Sequence, residues 1–267
     1  MPIQQSSWSN LEPHRQRAIA ESYGVDAARY DRTRPHYPEQ MVQRIVAATP
    51  GPDVLDIGCG TGISSRQFAA AGCRVLGVDA DARMAESARR LAIATEVARF
   101  EEWDPRERTF DAVIAGQAWH WVDPVAGAAK AARILRRSGR IALFWNVFQP
   151  PTELAEAFAA SYRRVLPDLP AMPARPAAEL YEPMLTMADN GLRATGAFAE
   201  AERWTWEWQQ RYTRDEWLDQ VPTHGSSTQL SPQDLRTVLI DIGAAIDAAG
   251  GEFVCDYTTV VLTAITE

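Results

Sequence analysis

The sequence predicts an α/β fold: a mostly parallel sheet with helices on both faces. Three observations carry this expectation. Short apolar runs recur at 54–57, 74–79, 95–100, 110–115 and 141–145, and stretches of helical periodicity separate them. Such alternation of buried strand and helix is the pattern of parallel strands joined by crossovers. Finally, the first run ends in Asp56-Ile57-Gly58-Cys59-Gly60-Thr61-Gly62, a turn too tight for side chains that leads into a helix at Ile63. Glycine tolerates positive φ and lets a ligand approach bare backbone, and the helix behind it offers unpaired N–H groups.

Composition narrows the field. At 267 residues, 46% of them hydrophobic, the chain can bury a sizeable core. The net charge of -8 and the lack of a Lys/Arg-rich run argue against a nucleic-acid partner, which needs a basic stripe. Three scattered cysteines are too few for a disulfide framework or a zinc site, and no metal is expected. The N-terminal residues are polar, and no run approaches the ~20 apolar residues that span a bilayer. A soluble, cytoplasmic protein without a membrane partner is expected.

Taken in order, residues 10–21 suit a short polar helix. Pro35 and Pro38 break regular structure, and Pro38 opens a helix to Ala48 with Met41, Val42, Ile45 and Val46 on one face. After Thr49-Pro50-Gly51-Pro52 comes the glycine-turn strand, then a helix over 63–71 stopped by Gly72. The strand at 74–79 ends in Asp79, and helix 80–92 carries Met84, Ala88 and Leu91 on one face. Strands at 95–100 and 110–115 follow. Pro124 opens a helix through Arg137, whose two terminal arginines suit the helix dipole, before the strand at 141–145. A helix over 152–166 and a proline-punctuated loop come next. Trp204, Trp206 and Trp208 alternate as on a half-buried strand, and Thr213 with Glu216 forms a candidate capping box. A helix from Ser231-Pro232 to Gly250-Gly251 and a last strand at 253–263 close the chain.

The ligand of the glycine turn can be narrowed by charge. A dinucleotide site wants G-x-G-x-x-G, whereas here the third place falls on Ile63. Asp56, so near the turn, would repel a pyrophosphate. The two facts favour a ligand with positive charge and no phosphate, and S-adenosylmethionine qualifies. Asp79 is placed to accept from both ribose hydroxyls; capping the next helix is its alternative role.

The pair Asp56-Ile57-Gly58-Cys59-Gly60-Thr61-Gly62 and Gly77-Val78-Asp79 resembles motifs one and two of the class I S-adenosylmethionine-dependent methyltransferases. Gln117-Ala118-Trp119-His120-Trp121 and the pattern from Tyr30 to Pro38 are similar to small-molecule enzymes of the methyltransferase-domain-11 type, including the trans-aconitate methyltransferase-like group. The resemblance covers residues 20–146 firmly and the rest as topology only. It implies a Rossmann-like, seven-stranded, mostly parallel sheet with an antiparallel final strand and a helical lid insertion after strand five. One domain is expected over 1–267: a helical cap (1–50), a cofactor-binding core (51–146), the lid (147–200) and the closing strands and helices (201–267).

Carried over by position, Gly58, Gly60 and Gly62 would shape a methionine pocket, with Asp56 ordering the turn or the amino group and Asp79 holding the ribose. Met84 would pack on adenine or simply in the core, and Glu101 or the Phe100 backbone would meet the adenine amino group. Gln117 would lie near the reactive methyl. Tyr30 would close over the cofactor, and Arg34 would either pair its carboxylate or form a surface salt bridge. Trp119 or Trp121 would line the acceptor pocket, joined by Trp145 and by His224 on a late loop. His120 reads as either a general base or a structural imidazole. The implied activity is methyl transfer to a small organic molecule, O-methylation favoured, by a monomer or homodimer. N- or C-methylation and a catalytically silent cofactor-binding protein are the alternatives. The amino-methylating Asn/Asp-Pro-Pro-aromatic motif and a Pro-Cys nucleophile are both absent from the sequence.

Overall fold

A computed structural model describes residues 21–167, 179 and 181–267. Its centre is one seven-stranded sheet in the order β3-β2-β1-β4-β5-β7-β6. The strands are β1 (Asp53–Ile57), β2 (Arg74–Asp79), β3 (Ala94–Val97), β4 (Phe110–Gly116), β5 (Leu135–Gln149), β6 (Glu202–Thr213) and β7 (Glu252–Ile265). The first five pair in parallel, and β7 runs antiparallel to both β5 and β6. Order reverses between β1 and β4, so their C-terminal ends flank the crevice in which ligands of such sheets bind.

Period-two alternation inside the central strands builds two core layers. Leu55, Ile57, Val113, Ala115, Ile141, Leu143 and Trp145 face one way, packed with α5 (Pro124–Ile134) and α7 (Glu182–Thr195). Val54, Ala112, Ile114, Ala142 and Phe144 face the other, against α2 (Glu39–Ala47) and α3 (Ile63–Ala70). Strands covered on both faces must be apolar throughout, hence their near-continuous hydrophobic runs. Beyond the end of β5, α6 (Thr152–Val165), α8 (Arg214–Gln220) and α9 (Pro232–Ala248) enclose a third cluster with Tyr212, Phe253 and Tyr257 of the β6–β7 pair. The capping box at Thr213 and Glu216 is formed.

Several elements depart from the expected reading. The helix predicted to reach Arg137 ends at Ile134, and Arg136 pairs with Asp53 and Asp111 instead of sitting at a helix terminus. Ion pairing to neighbouring strands thus pulls this segment into the sheet. The strand predicted over 95–100 stops at Val97. A 3₁₀ turn (Glu21–Asp26) and helix α1 (Ala27–Thr33) precede Pro35, with Asp26 capping Arg29 N; no residue of α1 is buried, so it carries no amphipathic signal. The expected lid is divided: α6 packs with α9, and α7 packs on α5 in the opposite layer. The helix predicted over 10–21 (except Glu21) and the prolines at 170, 173 and 176 lie outside the described residues. Among the described residues no helix is long and apolar enough to cross a membrane.

Candidate ligand cradle and its mouth

The glycine turn crosses from β1 towards β2. Gly58 N and Cys59 N both donate to Val78 O, at 2.8 and 3.3 Å. Gly58 has φ +62°, and a Cβ there would stand 2.5 Å from that of Ala118, beyond β4. Only glycine fits where the two strand ends meet. Asp79, half-buried at the tip of β2, braces the turn: Oδ2 accepts from Gly60 N at 2.7 Å and Oδ1 from Asp81 N at 2.8 Å. Each oxygen keeps a further lone pair for a ligand hydroxyl. Helix capping falls instead to Asp81, whose side chain accepts from Arg83 N at the start of α4 (Ala82–Arg90). Met84, on α4, is buried with its Cε beside Gly60.

Asp56 lies beneath the turn, wholly buried, with Oδ2 accepting from Ser64 Oγ (2.7 Å) and Ser65 Oγ (2.6 Å). It thereby ties β1 to the first turn of α3. Its Oδ1 is buried without a partner among the described residues. Burial pushes the Asp56 carboxyl up to about 6, the nearby Asp79 charge adding to the effect, and burial pushes Asp79 up to about 6 as well. Charge at both positions is therefore costly until something answers it.

Past β4, Gln117 adopts φ +54°; its N donates to Phe144 O and its Nε2 to Asn146 O, so both donors are tied to β5. In the following 3₁₀ turn (Trp119–Trp121) the side chains diverge. Trp119 is 2% exposed and packs 6.2 Å from Phe100 against α5; Trp145 is fully buried. Both belong to the core and not to a pocket wall, a correction the sequence could not supply, because aromatics at strand ends look alike whichever way they point. Trp121 is half-buried, 6.4 Å from Tyr23 and 4.6 Å from His120, and remains the candidate wall.

The general-base reading of His120 is corrected by its partner. Trp145 Nε1–H donates to His120 Nδ1 at 3.2 Å. An indole N–H can only donate, so Nδ1 accepts and the neutral ring carries its proton on Nε2. Burial holds this imidazole neutral, its pKa down to about 4. Glu101 is also committed elsewhere: Oε1 accepts from Asp123 N ahead of α5, and its carbonyl accepts from Lys130 Nζ. The main chain of 98–100 is what borders Asp79, through Ala98 N to Asp79 O at 3.0 Å.

The N-terminal segment covers the mouth. A Cβ on Gly24 would fall 2.0 Å from Asp81 Oδ2, so the 3₁₀ turn sits directly on the β2–α4 loop. Arg34 caps α1, donates from Nη2 to Thr223 O, and lies 4.9 Å over the Tyr30 ring. No carboxylate of the described residues pairs with it, and its buried Nε has no partner among them. The surface ion pairs are made by Arg29 and Arg32, both to Asp219. Within the electrostatic reach of Arg34 lie Tyr23, Tyr37 and Tyr181, each phenol pushed up by burial, Tyr23 to about 12. Tyr37 hangs over the end of β4, its hydroxyl 2.6 Å from where a Gly116 Cβ would stand. These three tyrosines escaped the sequence reading; Tyr37 lies inside the proline pattern itself, and Tyr181 had no local signal.

His224, expected on a loop reaching the pocket, is stacked on Phe148 at 5.5 Å with Nε2 against Gln220 Nε2. Burial, helped by the Arg34 charge, holds its pKa well below the usual value. The ring is thus held against Phe148 and Gln220, within the reach of Arg34.

Residues 54–139 match a family model described as a methyltransferase domain. An uncharacterised methyltransferase of Mycobacterium bovis is 36% identical over 133 residues, 49% of this chain and 54% of the relative. A demethylmenaquinone methyltransferase of Tropheryma whipplei is 31% identical over 137 residues, 47% of this chain and 54% of that protein. The malonyl-[acyl-carrier protein] O-methyltransferase of Enterobacter lignolyticus is 31% identical over 146 residues, 50% of this chain and 58% of that protein. The chain thus spans about half the length of the curated relatives it matches. A structure provisionally named a type II methyltransferase, from Anaeromyxobacter dehalogenans, shares the fold with a TM-score of 0.62 at 22% identity, over 86% of this chain and 97% of the other.

Proposed function

We propose that this chain is a class I S-adenosylmethionine-dependent methyltransferase that binds S-adenosylmethionine in the glycine cradle and methylates oxygen on a small organic molecule, a reading its matched domain and its relatives support. The observation that carries the cofactor reading is the set of unanswered charges around the cradle. Among the described residues Asp56 has a buried oxygen without a partner and Arg34 has no carboxylate paired with it, while Asp79 has spare lone pairs at the strand tip. The set complements an ammonium, a cis-diol and a carboxylate, and the Asp56 and Asp79 carboxylates beside the turn disfavour a phosphate there.

In this reading Asp79 holds the ribose hydroxyls while Gly58 and Gly60 let the methionine portion approach the backbone. Asp56 answers the ammonium and Arg34 the carboxylate, Tyr30 lying beneath the guanidinium. Met84 and the main chain of 98–100 flank the adenine, and Gln117, pinned by its positive φ and its tie to β5, sits by the reacting centre. The bound cofactor supplies a methyl group activated on a sulfonium. The protein contributes alignment and exclusion of water by the 3₁₀ turn and α1. Oxygen as the acceptor accords with one relative being, by name, an O-methyltransferase. The acidic net charge favours a small acceptor over nucleic acid.

A turnover assay tests this. Purified protein is incubated with S-adenosylmethionine and a panel of carboxylic acids, phenols and amines, and S-adenosylhomocysteine release is followed. Release dependent on an oxygen acceptor is expected. Release only with amines would overturn the choice of oxygen, and cofactor binding without release would favour a silent binding protein.

A further inference from the structure

We infer that His120 meets the acceptor as a hydrogen-bond donor through Nε2–H, held in that tautomer by Trp145, and that the acceptor atom is an oxygen already ionised, a carboxylate in chemical class. The inference rests on the methyltransferase reading above and narrows its substrate.

It starts from the direction of one hydrogen bond. Trp145 is 0% exposed and its indole N–H has His120 Nδ1 as its acceptor, at 3.2 Å. Protonating Nδ1 would set two donors face to face and strand a buried N–H, so that nitrogen is closed to proton transfer. The other nitrogen already carries the ring proton. The imidazole of His120 can therefore give a hydrogen bond but cannot take a proton from an acceptor.

Among the described residues, the buried phenols around Arg34 do not take that role either. Tyr23 faces His120 across Trp121, and burial keeps the hydroxyls of Tyr23, Tyr37 and Tyr181 protonated. Arg34 is a cation, and Gln117 directs its amide N–H to Asn146 O. On His120 itself burial is the cause of the lowered pKa. A set of neutral donors and a cation, with no base among these described groups, favours an acceptor that brings its own negative charge. In the transfer, a carboxylate lone pair forms the new O–CH₃ bond, the electrons of the breaking S–CH₃ bond remain on sulfur, and no proton is released.

The test reads the tautomer before it reads activity. In protein labelled with ¹⁵N-histidine, two-bond ¹H–¹⁵N correlations distinguish Nδ1–H from Nε2–H. The chain has four histidines, and His120→Gln identifies the signal. His120 is expected as the Nε2–H tautomer with no titration between about pH 5.5 and 8.5. Trp145→Phe removes the donor that fixes the tautomer, so Nδ1–H should become populated while burial still holds the ring neutral. If that variant does not fold, the wild-type spectrum alone decides. An Nδ1–H tautomer in the wild type, or a midpoint near 6.5, overturns the inference.

The second arm uses S-adenosylhomocysteine-loaded protein titrated with acetate, benzoate, phenylacetate and octanoate, each beside its amide. At least one carboxylate should shift the Nε2–H resonance more than its amide does. His120→Phe should weaken that carboxylate by about tenfold or more, His120→Gln by much less, and S-adenosylhomocysteine affinity should stay within about twofold in both. Indifference of the resonance to every acid, or equal response to acid and amide, overturns the inference. Failure to bind S-adenosylhomocysteine would instead remove the methyltransferase reading and leave the tautomer result standing.

Discussion

Asp56→Asn should make the ligand-free protein more stable and its cofactor binding weaker. Asp56 is completely buried, receives two hydroxyl donors on one oxygen and none on the other, and has its carboxyl pushed from 3.8 to about 6. A shift of roughly two units corresponds to about 3 kcal/mol against ionisation, an upper bound after local relaxation. The sign follows from proton binding. Between the unfolded and folded pKa values the native state holds more protons, so stability falls as pH rises through that window, and the whole penalty is present at neutral pH. Asparagine keeps an acceptor for Ser64 and Ser65 and carries no charge. Urea denaturation at pH 7.5 should show a gain of about 1–3 kcal/mol, with a melting temperature higher by about 2–4 °C per kcal/mol. The gain should shrink as pH falls below about 6. Calorimetry with S-adenosylhomocysteine should show affinity reduced at least about tenfold, as the carboxylate facing the ammonium is gone. A variant less stable than wild type at pH 7.5 would refute the reasoning, for then the serine hydroxyls would more than offset burial.

Other perturbations have equally definite outcomes. Gly58→Ala combines a φ of +62° with a Cβ 2.5 Å from that of Ala118, so it should cost about 2–4 kcal/mol in urea denaturation and abolish cofactor binding. Asp79→Ala leaves the N–H groups of Gly60 and Asp81 without their acceptor and should eliminate S-adenosylhomocysteine binding while circular dichroism still reports the fold; unchanged affinity would remove Asp79 from the site. Glu96 accepts both guanidinium N–H groups of Arg108 and the Trp103 indole, the Arg108 pairing first in holding it down at about 2. Glu96→Gln should cost about 1–2 kcal/mol at neutral pH, allowing for its partial exposure, and the cost should fade as acid titrates the wild type from about 4.5 towards 2.

Where the signal was local, residues alone were enough. Gly58 N donates to Val78 O and Gly60 N to Asp79 Oδ2, so the turn is braced within a single strand–turn–helix and the tip of the next strand, where spacing and residue type are legible. The strands of the sheet were plain because burial on two faces demands continuous apolar runs. What stayed hidden depends on distant partners. Arg136 and Arg137 suit a helix end, yet ion pairs from Arg136 to Asp53 and Asp111 hold that segment in the sheet. Trp119 and Trp145 sit at strand ends as pocket residues would, and only packing against α5 and His120 shows that they point inward. The protonation state of His120 depends on an indole 25 positions away. Arg34 stood out from its motif, but its company of tyrosines appears only when the start of α7 brings Tyr181 to the same place.

The central claim is that the cradle bounded by Gly58, Gly60 and Asp79 is built for S-adenosylmethionine. Isothermal titration of the purified chain with S-adenosylhomocysteine, and separately with NAD, tests it most directly. One molecule of S-adenosylhomocysteine bound per chain and no heat from NAD is the predicted result. Saturable NAD binding with no S-adenosylhomocysteine binding would contradict the account.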